Sequence, residues 1–324
     1  MLKLQTTWAA SLPLFRLRPR PGSPPPCGPR LPFVPPRVIC IKTVLVFGLQ
    51  GQLGTSSGWF PTTSWPRWKT RSKTVLSELK SFEADLMCIQ ELDEYDTFYK
   101  KNMENSGYSS IYIQRSGDKR DGCGIFYKPK SMELVQKEVL HYNDLVEKYV
   151  HTDHVNSDTS NNSSPTEVTS FIGGDKRDPE WIDVKLAQAK YLLSRVTQFE
   201  KLISNKFNCK PSVMIAGDFN STPGDKVYNY LVSANSDSTD EAPIKLRSLY
   251  AANGGEPEFT NCTPGFTGTL DYIFLSDGSS VKPTSLLRIP RGDSADVQGG
   301  LPNFHHPSDH LPIGADFQVL GSEG

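Results

Sequence analysis

The spacing of apolar residues predicts alternating helices and strands along most of the chain. Between residues 70 and 82 the apolar side chains recur at helical spacing: Val75, Leu76, Leu79 and Phe82. The apolar run at residues 85–90 is typical of a buried strand. A helix followed by a buried strand is the rhythm of an α/β protein.

The next segment predicts a helix and a β-hairpin. Apolar and aromatic side chains within residues 98–103 suit a second helix. The alternating run at residues 109–114 and the apolar run at residues 123–128 are separated by a polar turn at residues 116–122. Two such runs around a glycine-containing turn are the signature of two antiparallel strands.

The second half predicts one long helix and several strands. Residues 151–176 are polar and are expected to form a loop. Helical spacing then runs from Asp183 to about Asn205, followed by an apolar strand at residues 213–216. Thr222 and Pro223 suit the start of another helix, because threonine caps and proline fits the first turn. Two further strands are predicted at residues 270–275 and 313–319.

Ten prolines within the first 36 residues disfavour regular structure there, because proline removes a backbone donor and is excluded from helix interiors. We therefore expect residues 1–43 to form a disordered leader and residues 44–324 to form one domain. The leader is rich in arginine and lacks acidic residues, as organelle transit peptides do. A mitochondrial or chloroplast location is one expectation; a plain disordered tail on a cytoplasmic or nuclear protein is the other.

Charge is distributed unevenly. The net charge is −1, yet the first acidic residue is Glu78 and eleven basic residues precede it, which leaves 24 basic against 36 acidic residues. An acidic body can hold a divalent cation but repels nucleic acid, and most of these charges also fit an ordinary solvated surface. No uncharged apolar stretch approaches the roughly 20 residues that cross a bilayer, which excludes a membrane-spanning protein. Six scattered cysteines argue against a zinc ribbon and favour a reducing compartment.

Four short segments carry acidic or imidazole groups at the ends of apolar runs: Ile89-Gln-Glu91, Gly217-Asp-Phe-Asn220, Leu270-Asp-Tyr-Ile-Phe274 and Ser308-Asp-His310. A carboxylate just past a buried strand is held at the sheet edge, where Mg²⁺ is bound by one or two such oxygens. Each segment also has a structural explanation. Glu91 fits a solvated strand end, Asp218 and Asn220 fit an Asx turn before a helix, and His310 fits a surface histidine.

The order of these four segments resembles the endonuclease/exonuclease/phosphatase superfamily of metal-dependent phosphoesterases. Four more segments resemble its carbon catabolite repressor 4 (CCR4)-like deadenylase branch, especially the plant homologs: Arg67-Trp-Lys-Thr-Arg-Ser72, Glu91-Leu-Asp-Glu-Tyr-Asp96, Lys119-Arg-Asp-Gly-Cys-Gly-Ile-Phe-Tyr-Lys128 and Phe259-Thr-Asn-Cys-Thr263. The resemblance runs from about Trp59 to Phe317. It implies an α/β (α+β) four-layer sandwich, in which two packed mixed sheets are flanked by helices.

The resemblance also implies an activity and a set of site residues. The implied enzyme is a Mg²⁺-dependent 3′-to-5′ exoribonuclease acting on poly(A) 3′ ends, with Mn²⁺ as an alternative ion and deadenylase-complex proteins as partners. The implied metal ligands are Glu91 and Asp309. The implied catalytic residues are Asp218, Asn220, Asp271, Asp309 and His310. The positions implied to lie near the substrate nucleotide are Thr260, Asn261 and Phe266.

These residue types suit the chemistry. In-line attack on a phosphodiester needs an activated water, a cation on the phosphate oxygens and a donor at the developing charge. In the family, Asp218 matches the acid that orients or deprotonates the water, and His310 matches the imidazole that stabilises the transition state.

Two departures from the family pattern point to an alternative. The stretch Val46-Phe-Gly-Leu49 stands where the family has a strand ending in asparagine, and Gly173-Gly-Asp-Lys-Arg177 runs into Asp178 where a strand ending in Asn-Thr-His is expected. Central strands are therefore expected to be missing around residues 150–180. A catalytically impaired protein that binds RNA or a partner, or a nocturnin-like nucleotide phosphatase, is the alternative function. A glycine-rich stretch at residues 43–54 also suits a dinucleotide loop, although no helix pattern follows it.

Overall fold

A computed structural model of the chain describes residues 9–18, 68–115, 119–142, 179–233, 244–263 and 265–319. The helical elements are α1 (Trp68–Ser81), a π-helical segment (Tyr95–Tyr99), α2 (Lys100–Glu104), α3 (Pro179–Phe207), α4 (Lys226–Val232) and a 3₁₀ turn (Ala251–Asn253). The strands are β1 (Ala9–Leu17), β2 (Leu86–Leu92), β3 (Ser109–Gln114), β4 (Gly122–Tyr127), β5 (Met132–His141), β6 (Met214–Asp218), β7 (Leu246–Ser248), β8 (Asn261–Thr263), β9 (Phe266–Gly268), β10 (Asp271–Ser276), β11 (Val281–Leu286) and β12 (Ala315–Val319). Across these described ranges, none of the helices is both long and apolar enough to pass through a membrane.

Two three-stranded sheets form the centre, with strand orders β2-β4-β3 and β6-β10-β7. The other strands form three two-stranded sheets: β1-β5, β8-β9 and β11-β12. Every pairing between described strands is antiparallel. The predicted hairpin is confirmed as β3 and β4, in register from Ser109 opposite Tyr127 to Gln114 opposite Gly122.

Helix α1 covers one face of the β2-β4-β3 sheet. Its apolar stripe, including Val75 and Leu79, packs with Met87 and Ile89 of β2 and with Phe126 of β4. All five side chains are at most 1% exposed. The helical periodicity and the apolar strand seen in the sequence therefore meet in one core.

Strand β10 is buried on both faces. Tyr272 and Phe274 face α3 and α4, while Ile273 and Leu275 face the strands of the opposite layer, including Phe317 of β12. Leu86 of β2 packs into the same central core, so the two sheets lie face to face between α1 on one side and α3 with α4 on the other. The predicted four-layer α/β sandwich is confirmed.

The prediction of a disordered leader is wrong for Ala9–Leu17, which pairs with β5 along its whole length as β1. Ala10 and Leu12 pack against Leu140 and α3, so the strand buries apolar side chains that the proline count had obscured. Pro13 is tolerated because proline lacks only a donor and fits an edge strand. The chain's first described element is therefore part of the fold.

Other differences come from local hydrogen bonding. The helix expected from Thr222 begins at Lys226, because the Asp225 carboxylate accepts hydrogen bonds from the Thr222 N–H (2.8 Å) and hydroxyl (3.0 Å) and closes a turn first. Strands β5, β7, β8, β9 and β11 were not predicted. The expected loop at residues 151–176, the missing strands around residues 150–180 and the stretch at residues 46–49 lie outside the described residues.

Candidate active site

Two carboxylates meet where β6 ends and β10 begins. The antiparallel register places Asp218 directly opposite Asp271. Directly opposed residues have Cβ atoms about 5 Å apart, so the sheet itself brings two like charges together. Asp271 is 2% exposed. The structure thus unites two predicted site residues that are 53 positions apart in the sequence.

His310 completes a compact cluster with these acids. Its Nδ1 lies 2.7 Å from Asp271 Oδ2, and both side chains are buried. Ligand atoms of Asp218, Asp271 and His310 all lie within 4.8 Å of one another. The hydrogen bond from Nδ1 to the carboxylate orients the imidazole ring, as in sites where a carboxylate holds a catalytic or metal-binding histidine.

The acids around His310 favour its protonated form. Burial alone lowers the pKa of an imidazole, but the charge of Asp271, the hydrogen bond to it, and the charges of Asp218 and Asp309 raise the pKa of His310 to about 9. His310 is therefore positively charged near neutral pH in the absence of a metal. A buried imidazolium facing a carboxylate is a suitable donor to an anionic phosphate oxygen.

The segment after β6 fixes the Asp218 carboxylate. Asn220 has φ 47°, in the left-handed region, and donates its N–H to Asp218 Oδ1 (2.8 Å) and its side-chain amide to Oδ2 (3.1 Å). The N–H bond makes this the Asx turn that the sequence offered as a structural explanation, although α4 begins too late to be capped by it. The turn therefore orients a reactive group as well as shaping the backbone.

Lys185 of α3 supports the same turn from behind. Its Nζ donates to the Asn220 carbonyl at 2.7 Å. Desolvation lowers the pKa of Lys185, while Asp225 and Asp218 favour its charged form. The sequence pattern does not single out Lys185, since it is one of several lysines on a long helix and only packing brings it to the site.

Glu91 approaches the cluster from the other sheet. The β2 register shifts between Ile89 and Leu92, and Glu91 has φ 50°, so a bulge redirects its side chain at the strand end. Burial, followed by the charges of Asp309, Asp121 and Asp218, raises the pKa of Glu91 to about 8, with Arg115 opposing the effect. Glu91 therefore shares one electrostatic environment with Asp218, although it does not belong to the tightest cluster.

Gln90 joins the two sheets at this point. Its Oε1 accepts a hydrogen bond from the Asp218 N–H at 2.8 Å. A Cβ added at Gly217 would lie 2.5 Å from Gln90 Nε2, so a side chain at this position would displace the Gln90 amide. The contact explains why the ends of β2 and β6, which are distant in sequence, present their acids to the same space.

Asp309 is positioned by β8. Asn261 forms an isolated antiparallel bridge with His310, and its side-chain amide donates to the Asp309 carbonyl at 3.1 Å. Within the described part of the chain, Asp309 Oδ1, Asp271 Oδ1 and Asn261 Oδ1 are buried without a hydrogen-bond partner. Such oxygens are costly to bury unless something compensates them.

The donor set fits a hard divalent cation. Buried carboxylate oxygens without partners are the groups that Mg²⁺ prefers, whereas an imidazole engaged by a carboxylate suits it less. The acidic residues that would hold the ion are therefore those around the cluster: Glu91, Asp218, Asp271 and Asp309. The specific assignment of Glu91 and Asp309 as ligands stays a prediction.

The residues expected near a nucleotide differ in placement. Thr260 is fully buried, and its hydroxyl accepts the N–H groups of Leu270 (3.0 Å) and Asp271 (3.1 Å). Thr260 therefore holds the start of β10, and its expected place near the substrate nucleotide stays a prediction. Asn261 lies beside Asp309 and His310. Phe266 is half-buried in β9. Substrate contact by Asn261 and Phe266 stays a prediction.

A buried ion pair lies next to Glu91. Arg115 and Asp121 form it at the turn end of the β3-β4 hairpin, where their side chains are 9% and 3% exposed. The sequence presented Asp121 as part of a polar turn and gave Arg115 no role. Only the fold shows that they face the acidic site, because both affect the ionisation of Glu91.

Comparison with known proteins agrees with this geometry. The chain is 50% identical over 302 residues to carbon catabolite repressor protein 4 homolog 4 of Arabidopsis thaliana, which covers 78% of this chain and 71% of that protein. It is 29% identical over 329 residues to the CCR4-Not complex 3′-5′-exoribonuclease subunit Ccr4 of Schizosaccharomyces pombe, covering 82% of this chain but only 47% of that one.

Solved structures share the fold. The 2′,3′-cyclic phosphatase ANGEL2 superposes with a TM-score of 0.63 at 21% identity, covering 87% of this chain and 96% of that one. The catalytic domain of human nocturnin gives a TM-score of 0.52 at 18% identity, and the match covers 79% of this chain and 88% of that one. The sequence model of the endonuclease/exonuclease/phosphatase family matches residues 15–310 of this chain. This chain therefore belongs to the endonuclease/exonuclease/phosphatase family.

Proposed function

We propose that this chain is a metal-dependent phosphodiesterase that removes nucleotides from the 3′ end of RNA, with poly(A) as the substrate. The observation that carries the proposal is the convergence of Asp218, Asp271 and His310 within 4.8 Å, with Glu91 and Asp309 in the same electrostatic environment. The exoribonuclease named among the fungal relatives supports the choice of reaction.

The proposed reaction uses a water molecule to attack the 3′-terminal phosphodiester. Asp218, held by Asn220 on both oxygens, orients this water and accepts its proton. The P–O3′ bond of the preceding nucleotide breaks, which releases AMP, and the departing O3′ takes a proton from solvent water to become a new 3′-hydroxyl. His310 donates to a phosphoryl oxygen as charge develops, and Asp271 keeps the imidazole charged and oriented.

The surrounding carboxylates would hold a divalent cation, which when bound would neutralise charge on the phosphate and lower the pKa of a nearby water. Mg²⁺ fits the oxygen-rich donor set, and Mn²⁺ is an alternative with similar ligand preferences. Without an ion, burial first and then the negative charges of Asp309, Asp121 and Asp218 raise the pKa of Glu91, so repulsion between the acids adds to the cost of desolvation. A cation that relieves this repulsion stabilises the folded protein.

The test is hydrolysis by the purified chain of oligo(A) that carries its label in the 3′-terminal AMP, with Mg²⁺ or with EDTA. We expect AMP release with Mg²⁺ and none with EDTA. Asp218→Asn should lower the rate by at least about 10²-fold. Asp277→Asn is the matched control, because Asp277 is exposed just beyond the far end of β10. Mg²⁺-dependent AMP release that survives Asp218→Asn would refute the proposed role of Asp218.

A second candidate is a protein that binds RNA without hydrolysing it. The observation that favours it is the sequence between residues 155 and 304, which contains no histidine where the family has Asn-Thr-His. Oligo(A) binding without AMP release under any metal condition would support this candidate. Release of phosphate from mononucleotides, with oligo(A) left intact, would instead support a nucleotide phosphatase.

We also propose that proteins of a deadenylase complex are partners of this chain. The S. pombe relative is named as a subunit of the CCR4-Not complex, and the chain spans about half the length of that protein. Copurification of the tagged chain from cells tests this directly. Recovery of the chain without any deadenylase-complex protein, under conditions that preserve the complex, would contradict it.

A further inference from the structure

Two exposed cations lie at the same sheet edge as the acidic site. Gly122, the first residue of β4, pairs with Leu92, the residue after Glu91. The chain just before Gly122 therefore extends past the end of β2. Asp121, the residue between Arg120 and Gly122, is close enough to Glu91 for its charge to act on that carboxyl group. Lys119 lies one residue beyond Arg120.

The backbone beneath these cations is tied down. Gln114 Nε2 donates to the Lys119 carbonyl at 2.8 Å, and the Arg115 N–H donates to the Asp121 carbonyl at 2.9 Å. The Arg115 side chain is engaged by buried Asp121. These contacts fix the main chain on both sides of Arg120, so its side chain and that of Lys119 are presented from an anchored segment.

Lys119 and Arg120 are both exposed, and within the described ranges neither enters an ion pair. Arg115 differs, because its charge is already paired with Asp121 and is buried. The hairpin therefore offers two available positive charges facing solvent. They stand next to a site whose own carboxylates repel phosphate groups.

An RNA chain entering this site needs cationic contacts outside it. Its terminal linkage must approach Glu91, Asp218, Asp271 and Asp309, while the body of the protein carries 24 basic and 36 acidic residues. Each lysine or arginine that binds a phosphate releases condensed counterions and strengthens binding. Cations at the rim of the acidic site are best placed to offset the repulsion.

We propose that Lys119 and Arg120 form a phosphate-binding subsite for the RNA backbone upstream of the scissile linkage. This inference rests on the proposed exoribonuclease function and adds to it the surface along which the RNA runs. The subsite recognises backbone phosphates and no particular base. It should therefore contribute to binding of long substrates and nothing to binding of a dinucleotide.

The test uses the full chain carrying Lys119→Gln and Arg120→Gln together. The matched control is Lys245→Gln with Arg247→Gln, an exposed lysine and arginine at the opposite end of the β6-β10-β7 sheet from Asp271. Binding of fluorescein-labelled oligo(A) is followed by anisotropy in EDTA, where no cleavage occurs, between 50 and 200 mM salt. Hydrolysis of oligo(A) and of the dinucleotide ApA is then measured with Mg²⁺.

We expect the double variant to bind oligo(A) more weakly and to lose about 1.4 from the slope of log affinity against log salt, about 0.7 for each phosphate contact. Its KM for oligo(A) should rise several-fold with kcat unchanged, and ApA hydrolysis should be unaffected. The charge-conserving Lys119→Arg with Arg120→Lys should restore the slope.

Three results distinguish the possible failures. A wild-type salt slope and KM in the double variant would overturn the subsite while leaving the enzyme function intact. An equal loss in the Lys245 and Arg247 control would also overturn it, because the effect would then reflect net charge. Absence of RNA binding and hydrolysis in the unmodified chain would instead refute the proposed function.

Discussion

The pair formed by Asp271 and His310 leads to a quantitative prediction about stability. The structure raises the pKa of His310 from an ordinary 6.5 to about 9. A group whose pKa is raised on folding stabilises the folded state below its unfolded pKa and loses that contribution as pH rises through the folded pKa. At about 1.4 kcal/mol for each pKa unit, the contribution of this protonation is about 3 kcal/mol.

Asp271→Asn removes the negative charge that sustains this effect. We expect the variant to be less stable than the wild-type chain by about 3 kcal/mol at pH 6, within the range measured when one partner of a buried pair is removed. The deficit should shrink between pH 6.5 and 9, because the unfolded wild-type chain releases the His310 proton above pH 6.5 while the folded chain keeps it until about pH 9, so the stabilisation by protonation is lost over that window. Catalysis should fall about 10²-fold or more, since the imidazole loses its orientation.

The assay is urea unfolding in EDTA at pH 6 and pH 9.5, with Asp277→Asn as the control. The imidazole proton signal of His310, followed by NMR across the same range, reports the pKa directly. In the variant this pKa should fall, because burial then acts with less opposition. A variant that is destabilised equally at both pH values, or a wild-type His310 that titrates near 6.5, would refute the reasoning.

Three further perturbations have defined outcomes. Glu91→Gln should stabilise the metal-free protein by an amount that grows from about pH 4.5 to pH 8, because over that window the unfolded wild-type chain carries a charged Glu91 while burial keeps the folded one protonated, with its pKa raised to about 8. Melting in EDTA tests this, and added Mg²⁺ should raise the Tm of the wild type more than that of the variant. Tyr272→Phe should cost about 1–2 kcal/mol in urea unfolding, since its buried hydroxyl donates to the Ser221 carbonyl at 2.7 Å and approaches the Thr269 carbonyl at 2.9 Å. Deleting residues 1–17 should lower the Tm well below that of a chain lacking only residues 1–8, because the longer deletion removes β1 from β5; equal Tm values would contradict the assigned role of β1.

The N-terminal strand shows where composition misleads. Proline frequency predicts disorder over the whole leader, yet Ala9–Leu17 contains enough apolar residues to pair with β5 and pack against α3. Whether a short apolar segment is ordered depends on the surface available to it, and that surface is formed by residues more than a hundred positions away. Strand β5 was missed for the same reason: apolar and polar residues alternate only weakly along it, and its pairing with β1 is what orders it.

The acidic site shows the opposite case. Each of the four motif segments is weak by itself, and each has a structural explanation from local chemistry. Asp218 does form the Asx turn that this explanation requires, and it also lies beside Asp271 and His310. A local conformation and a catalytic role are therefore compatible, and the sequence alone does not separate them.

The sequence by itself determined the helices and strands with strong periodicity, the family to which the chain belongs and the residue types that its chemistry requires. Local patterns decide these features, because helix spacing, strand apolarity and motif order are properties of neighbouring residues. Only the tertiary structure decided which acids share one electrostatic environment and that Thr260 is buried behind the site. It also decided that Gln90, Lys185 and the Arg115–Asp121 pair surround and support the acidic site. These outcomes depend on strand register and sheet packing, which join residues that no local pattern connects.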